Sequence, residues 1–119
     1  GDFKMTTYLT DHAYFNNKND MDEAVKQHVS AHRDNLNATD RAVLDMIRQY
    51  SITRGAAHLK HSTIENAVKK SNATVRRVIR KLERLAIIER IHYIRPVMSG
   101  LGANIYAVRP FHDLNLTEQ

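Results

Sequence analysis

The sequence predicts a mainly α-helical domain closed by a small β-hairpin, and three observations predict it. Between Ser71 and Ala86, the apolar residues Val75, Val78, Ile79, Leu82, Leu85 and Ala86 recur with a helical period. Directly afterwards the period falls to about two, in Ile87 to Ile94 and again in Asn104 to Val108, runs rich in β-branched and aromatic residues. Upstream, Asp20, Thr39 and Ser62 each stand where a helix-capping residue is expected, just before an apolar pattern begins. A chain of 119 residues can close around one modest core.

Residues 1–19 mix aromatic, Thr, Asn and Asp residues without a period and predict an irregular segment. Asp20 and Glu23 fit a capping box for an additional amphipathic helix within residues 20–35, with Met21, Val25, His28, Val29 and His32 on one face. A winding turn at residues 35–38 leads to a second helix, capped at Thr39 and Asp40, whose stripe is Val43, Leu44, Ile47 and Tyr50. Gly55 ends that pattern, and Ala56 to Leu59 predict a short strand. Ser62 and Glu65 form a second capping-box pattern, opening a short helix with Ile64, Ala67 and Val68 on one face and Lys69 and Lys70 at its end. Ser71 caps the next helix, and a proline- and glycine-containing loop, Arg95 to Ala103, joins the two strands. Residues 36–109 thus make the domain, and 110–119 a polar tail.

Composition narrows the function classes. No apolar run approaches the roughly 20 residues needed to span a membrane, so a soluble chain is expected. The absence of cysteine rules out disulfides and thiolate metal sites and, with no signal-peptide pattern at the start, points to the cytoplasm. The net charge of +5 is unevenly spread. Residues 1–53 hold 6 Lys/Arg against 8 Asp/Glu, residues 54–95 hold 11 against 3, and residues 96–119 hold 1 against 2. A basic block inside a mildly acidic chain is the footprint of a polyanion binder, although a solvated charged face gives the same pattern.

The order helix, short strand, helix, turn, helix, strand, glycine-containing loop, strand resembles the winged helix-turn-helix family of DNA-binding domains. The resemblance runs from Thr39 to Val108, about 70 of the 119 residues, and is strongest over STIENAVKKSNATVRRVIRKLERLAIIERI. It implies that the helix from Ser71 to Leu85 enters the major groove of double-stranded DNA and that the hairpin forms the wing. With the apolar stripe facing the core, Asn72, Thr74, Arg76, Arg77 and Arg80 become the candidates for base or near-base contact. Lys60, Ser62, Lys69, Lys70, Lys81, Arg84 and Arg95 become candidates for phosphate contact. The loop carries no basic residue after Arg95, so most of the affinity falls to the helix. A transcriptional regulator is the leading expectation. The origin-binding domain of a plasmid or phage replication initiator and a winged-helix protein-interaction module are the alternatives. The helix of residues 20–35 either covers the core or pairs with its copy in a homodimer.

Other chemistries find little support. His28 and His32 are spaced i, i+4, and His58 and His61 i, i+3, but no further ligand set accompanies either pair, so no metal and no cofactor is expected. The glycines of Ser99 to Asn104 do not lead from a strand into a helix and are not a phosphate cradle. A DNA-nicking site would need two histidines, where Ile91-His92-Tyr93-Ile94 supplies one. No enzymatic activity is expected.

Overall fold

The computed structural model describes residues 13–92 and 103–111. Among them are four helices and three strands: α1 (Lys18–Ala31), α2 (Ala38–Tyr50), β1 (Ala57–Lys60), α3 (His61–Val68), α4 (Asn72–Arg84), β2 (Ile88–His92) and β3 (Ala103–Val108). The fold is mostly helical, with one small antiparallel sheet. None of these helices is long and apolar enough to cross a membrane.

The helix starts differ from the predicted ones, and hydrogen bonding explains each difference. α1 begins earlier than Asp20 because Asn17 is its cap: the Asn17 side chain accepts from the Asp20 N–H at 2.8 Å, and Asp20 becomes the first-turn carboxylate. That helix also stops at Ala31, short of the end of the predicted span 20–35. α2 is capped by Asn37 rather than Thr39. Asn37 and Asp40 form a reciprocal box, each side chain accepting from the other's backbone N–H at 2.8 and 3.0 Å. The Ser62 box does not form, because α3 starts directly from β1 with Lys60 in the cap position and without a side-chain cap. Ser71 caps α4 as predicted, accepting from the Thr74 N–H.

Helix ends shape the turns on either side of α4. Lys69 adopts a left-handed conformation (φ 59°), and its N–H and that of Lys70 both donate to the Glu65 carbonyl. Ala86 does the same after α4 (φ 61°): the Ala86 N–H donates to the Glu83 carbonyl and the Ile87 N–H to the Leu82 carbonyl. This is a complete Schellman ending with alanine where glycine is usual, and Leu82 and Ile87 are both fully buried beneath it. Ala86 is therefore an exposed helix terminator and not part of the apolar stripe.

The three strands pair in the order β1-β3-β2, so the predicted hairpin gains β1 along its free edge. Ala57 pairs with Tyr106 and Leu59 with Asn104 on one side of β3, and Ile88 pairs with Val108 and Arg90 with Tyr106 on the other. Alternation sends Ala57, Leu59, Tyr106, Val108 and Ile88 into the main core, where they meet Val43, Leu44 and Ile47 of α2, Ile64 of α3 and Val75, Val78, Ile79 and Leu82 of α4. Ile105 and Ala107 turn to the opposite face and form a smaller cluster with Ala56 and Ile91. On that face, the Tyr14 hydroxyl donates to Glu89 at 2.6 Å. The same N-terminal segment presses on Gly55, where a Cβ would stand 2.3 Å from that of Ala13 and the φ of +81° already favours glycine.

α1 covers the core of its own chain. Met21, Ala24 and His28 are buried, and Val25 and Val29 pack against the same cluster. His28 is a packing residue, its Nε2 lying 2.7 Å from the Arg109 carbonyl and its ring edge-on to Phe111. Arg48 of α2 ties the helix pair together through Asp22 of α1 and is steadied by Asp45 of its own helix. Apart from Ala31 at its end, what α1 leaves exposed is polar, including Glu23, Lys26, Gln27 and Ser30. Tyr50, predicted on the α2 stripe, is 52% exposed because it lies at the last turn, beyond the reach of the core.

Candidate nucleic-acid interface

α4 is the most strongly two-sided helix of the fold. Val75, Val78, Ile79 and Leu82 are 0–5% exposed and pin one side to the core. Their spacing fixes the rotation of the helix, so the intervening residues face outward. Asn72, Arg76, Arg77, Arg80 and Arg84 are all exposed.

The outward residues fall into two groups. Thr74, Arg77, Arg80, Lys81 and Arg84 line a groove of about 530 Å³ together with Lys70 and the first residues of α2, Asn37, Thr39 and Asp40. Five of these side chains are basic and one is acidic. The acid, Asp40, is 2% exposed and is already bonded to Lys81, whose Nζ lies 2.7 Å from Oδ2. Lys81 is thus occupied by an internal ion pair and is not the open cation the sequence suggested. Arg80 and Arg84 have no ion pair or hydrogen bond among the described residues. Glu83 does not engage Arg84, since it faces the other way and pairs with Arg90 of β2 at 3.5 Å. Arg77 donates to the Thr74 hydroxyl at 3.3 Å, and that hydroxyl also accepts from Ser71.

The second group lies on the flank of α4 toward α3. Asn72 donates its amide to Glu65 at 2.8 Å, and Arg76 donates to the Asn72 amide oxygen at 3.3 Å. His61, in the first turn of α3, has a buried Nε2 without a hydrogen-bond partner among the described residues. Burial lowers its pKa below the ordinary histidine value, and the nearby Arg90 and Arg76 lower it further against the opposing pull of Glu65. His58 on β1 is held down by burial as well, with Lys60 adding to the effect.

No family model, curated protein or solved structure matches this chain.

The predicted contact residues are therefore only partly brought together. Lys70, Thr74, Arg77, Arg80 and Arg84 share the groove, with Lys81 in its wall. Asn72 and Arg76 sit on the neighbouring flank. Lys60, Ser62 and Lys69 are exposed at the two ends of α3 and line no part of the groove. Arg95 and its loop as far as residue 102 lie outside the described residues, while Ala103, predicted as the last residue of the loop, opens β3. Glu65 and the α2 N-terminus were missed as parts of the surface. The spacing Asn37-x-x-Asp40 carried a signal for the latter, being a capping box one turn ahead of an apolar stripe.

Proposed function

We propose that this chain is a double-stranded DNA-binding domain of the winged helix-turn-helix kind, with α4 as its recognition helix and transcriptional regulation as its role. One observation carries the reading: α4 buries a continuous apolar side and turns exposed Arg76, Arg77, Arg80 and Arg84 to solvent beside a basic groove that has no unpaired acid. A helix so anchored can sit in a major groove without bending, and its arginines can reach both guanine edges and phosphates. The order of α2, α3 and α4, with β1 joining the β2–β3 pair, suits this mode of docking.

Selection from a randomised duplex pool tests it, followed by titration of the selected site across salt. The four exposed cations of the groove, Lys70, Arg77, Arg80 and Arg84, set a slope of log K against log salt near about −4, at roughly −0.9 per neutralised phosphate. Arg77→Ala weakens the selected site by ~1–3 kcal/mol and relaxes preference at one base pair. A selected palindrome accords with a promoter-binding regulator, and directly repeated sites with a replication origin. Absence of duplex binding at low salt removes the reading.

A further inference from the structure

Glu65 is an acid on the edge of a surface otherwise built to attract phosphate, and its hydrogen bonds give it a task. Its carboxylate can only accept, and the guanidinium of Arg76 can only donate. The Asn72 amide bridges the two, Nδ2 to Glu65 Oε2 at 2.8 Å and Oδ1 from Arg76 Nη1 at 3.3 Å, so its orientation is dictated at both ends. Glu65 is half-buried on α3, whereas Asn72 and Arg76 are exposed one turn apart on α4. The chain of bonds therefore runs from a fixed point out to a long side chain that would otherwise sample many rotamers.

We infer that Glu65 is a positioning residue for base recognition: through Asn72 it holds the Arg76 guanidinium at one aim, toward a guanine edge, and Asn72 serves as the spacer rather than as a reader of adenine. This rests on the DNA-binding reading above. Two features favour it over a purely repulsive role for Glu65. The carboxylate is bonded to the one amide that also touches a recognition-face arginine, and Arg77, one residue on, is tethered to Thr74 with no acid in its chain.

The test uses the full chain and measures affinities for the selected duplex, for that duplex with each base pair changed in turn, and for a random duplex. Arg76→Ala marks the base pair that Arg76 reads, by a loss of preference of about five- to hundredfold there. Glu65→Ala is expected to erase the preference at that same pair while raising affinity for random duplex by about two- to fivefold, as removal of one water-screened negative charge requires. Glu65→Gln loses the charge but keeps an oxygen that accepts from Asn72, so random affinity rises equally while the base preference survives. Asn72→Ala erases the preference without the rise. Urea midpoints of the variants exclude loss of folding as the cause. If Glu65→Ala tightens every duplex alike and leaves the preference intact, or relaxes a different pair from Arg76→Ala, Glu65 does no positioning, although DNA binding stands. If the unaltered chain binds no duplex at low salt, the inference falls with the reading beneath it.

Discussion

Replacing Lys81 with methionine removes one positive charge while keeping an unbranched chain of similar length in place. In the folded chain this strands the Asp40 carboxylate, which is 2% exposed, with the Asn37 N–H at 3.0 Å as its remaining donor. Severing a fully buried pair costs about 3–5 kcal/mol, and an exposed pair is worth about 0–1 kcal/mol. Lys81 is 28% exposed, so water reaches its end of the pair and the cost lies between these limits, at about 2 kcal/mol. At this chain length the melting temperature falls by roughly 4 °C per kcal/mol, hence by about 8 °C. Urea unfolding read by far-ultraviolet circular dichroism measures the change, with an unaltered m-value showing that the same surface is exposed on unfolding. Asp40→Asn in the same background completes a double-mutant cycle with a coupling of about 1–2 kcal/mol. A stability change below about 0.5 kcal/mol, accompanied by a salt slope of DNA binding shallower by about 1, would refute the internal pair and restore Lys81 as a phosphate ligand.

Two further outcomes follow from buried groups and backbone. Gly55→Ala destabilises the chain by about 1–3 kcal/mol, because its φ of +81° strains an alanine and the added Cβ meets that of Ala13; equal urea midpoints for the two proteins would show that the N-terminal segment does not bear on this turn. His58 and His61, with pKa values lowered chiefly by burial, stay neutral in the folded chain at pH values where the unfolded chain takes up protons. Stability is therefore full above the ordinary histidine value of 6.5 and falls as pH drops below it, at most about 1.4 kcal/mol per pH unit for each such proton. Replacing both histidines with glutamine flattens that limb, and an unchanged limb would place the cause elsewhere.

Much of the helical framework was legible because its signals are local. Val75, Val78, Ile79 and Leu82 declare their burial by spacing alone, and Ser71 caps α4 through a residue three positions away. The strands of the hairpin were legible from alternation, and the pairing of β1 with β3 was not, since nothing within Ala57–Lys60 encodes a partner some 45 residues later. Ala86 misled for a different reason. Its place in the helical count is correct, yet the chain turns left-handed there to satisfy the last carbonyls of α4, a role that composition reserves for glycine. Ser62 misled because the capping box needs an extended residue before a helix, and β1 runs straight into α3 at Lys60, giving α3 its start two residues too early for Ser62 to cap.

The basic block of residues 54–95 was legible as charge and not as surface, and the difference lies in where each cation's partner sits. Lys81 meets an acid 41 positions away, and Arg90 meets Glu83 across the α4–β2 turn. Arg76 is tied to an amide four residues back, itself held by an acid from another helix. Sequence proximity therefore overstates the charge available to a polyanion. If all 11 basic residues of the block faced phosphate, the salt slope would approach about −10. The groove as built offers Lys70, Arg77, Arg80 and Arg84, whereas Lys81 and Arg90 are paired with acids and Arg76 is tied to an amide. Such a division favours discrimination over bulk affinity, because non-specific binding scales with the open cations whereas base preference depends on how few orientations an arginine can adopt. A slope near −4 joined to a strong base preference is the signature of that division, and a slope near −10 with weak preference is the signature of an undivided basic patch.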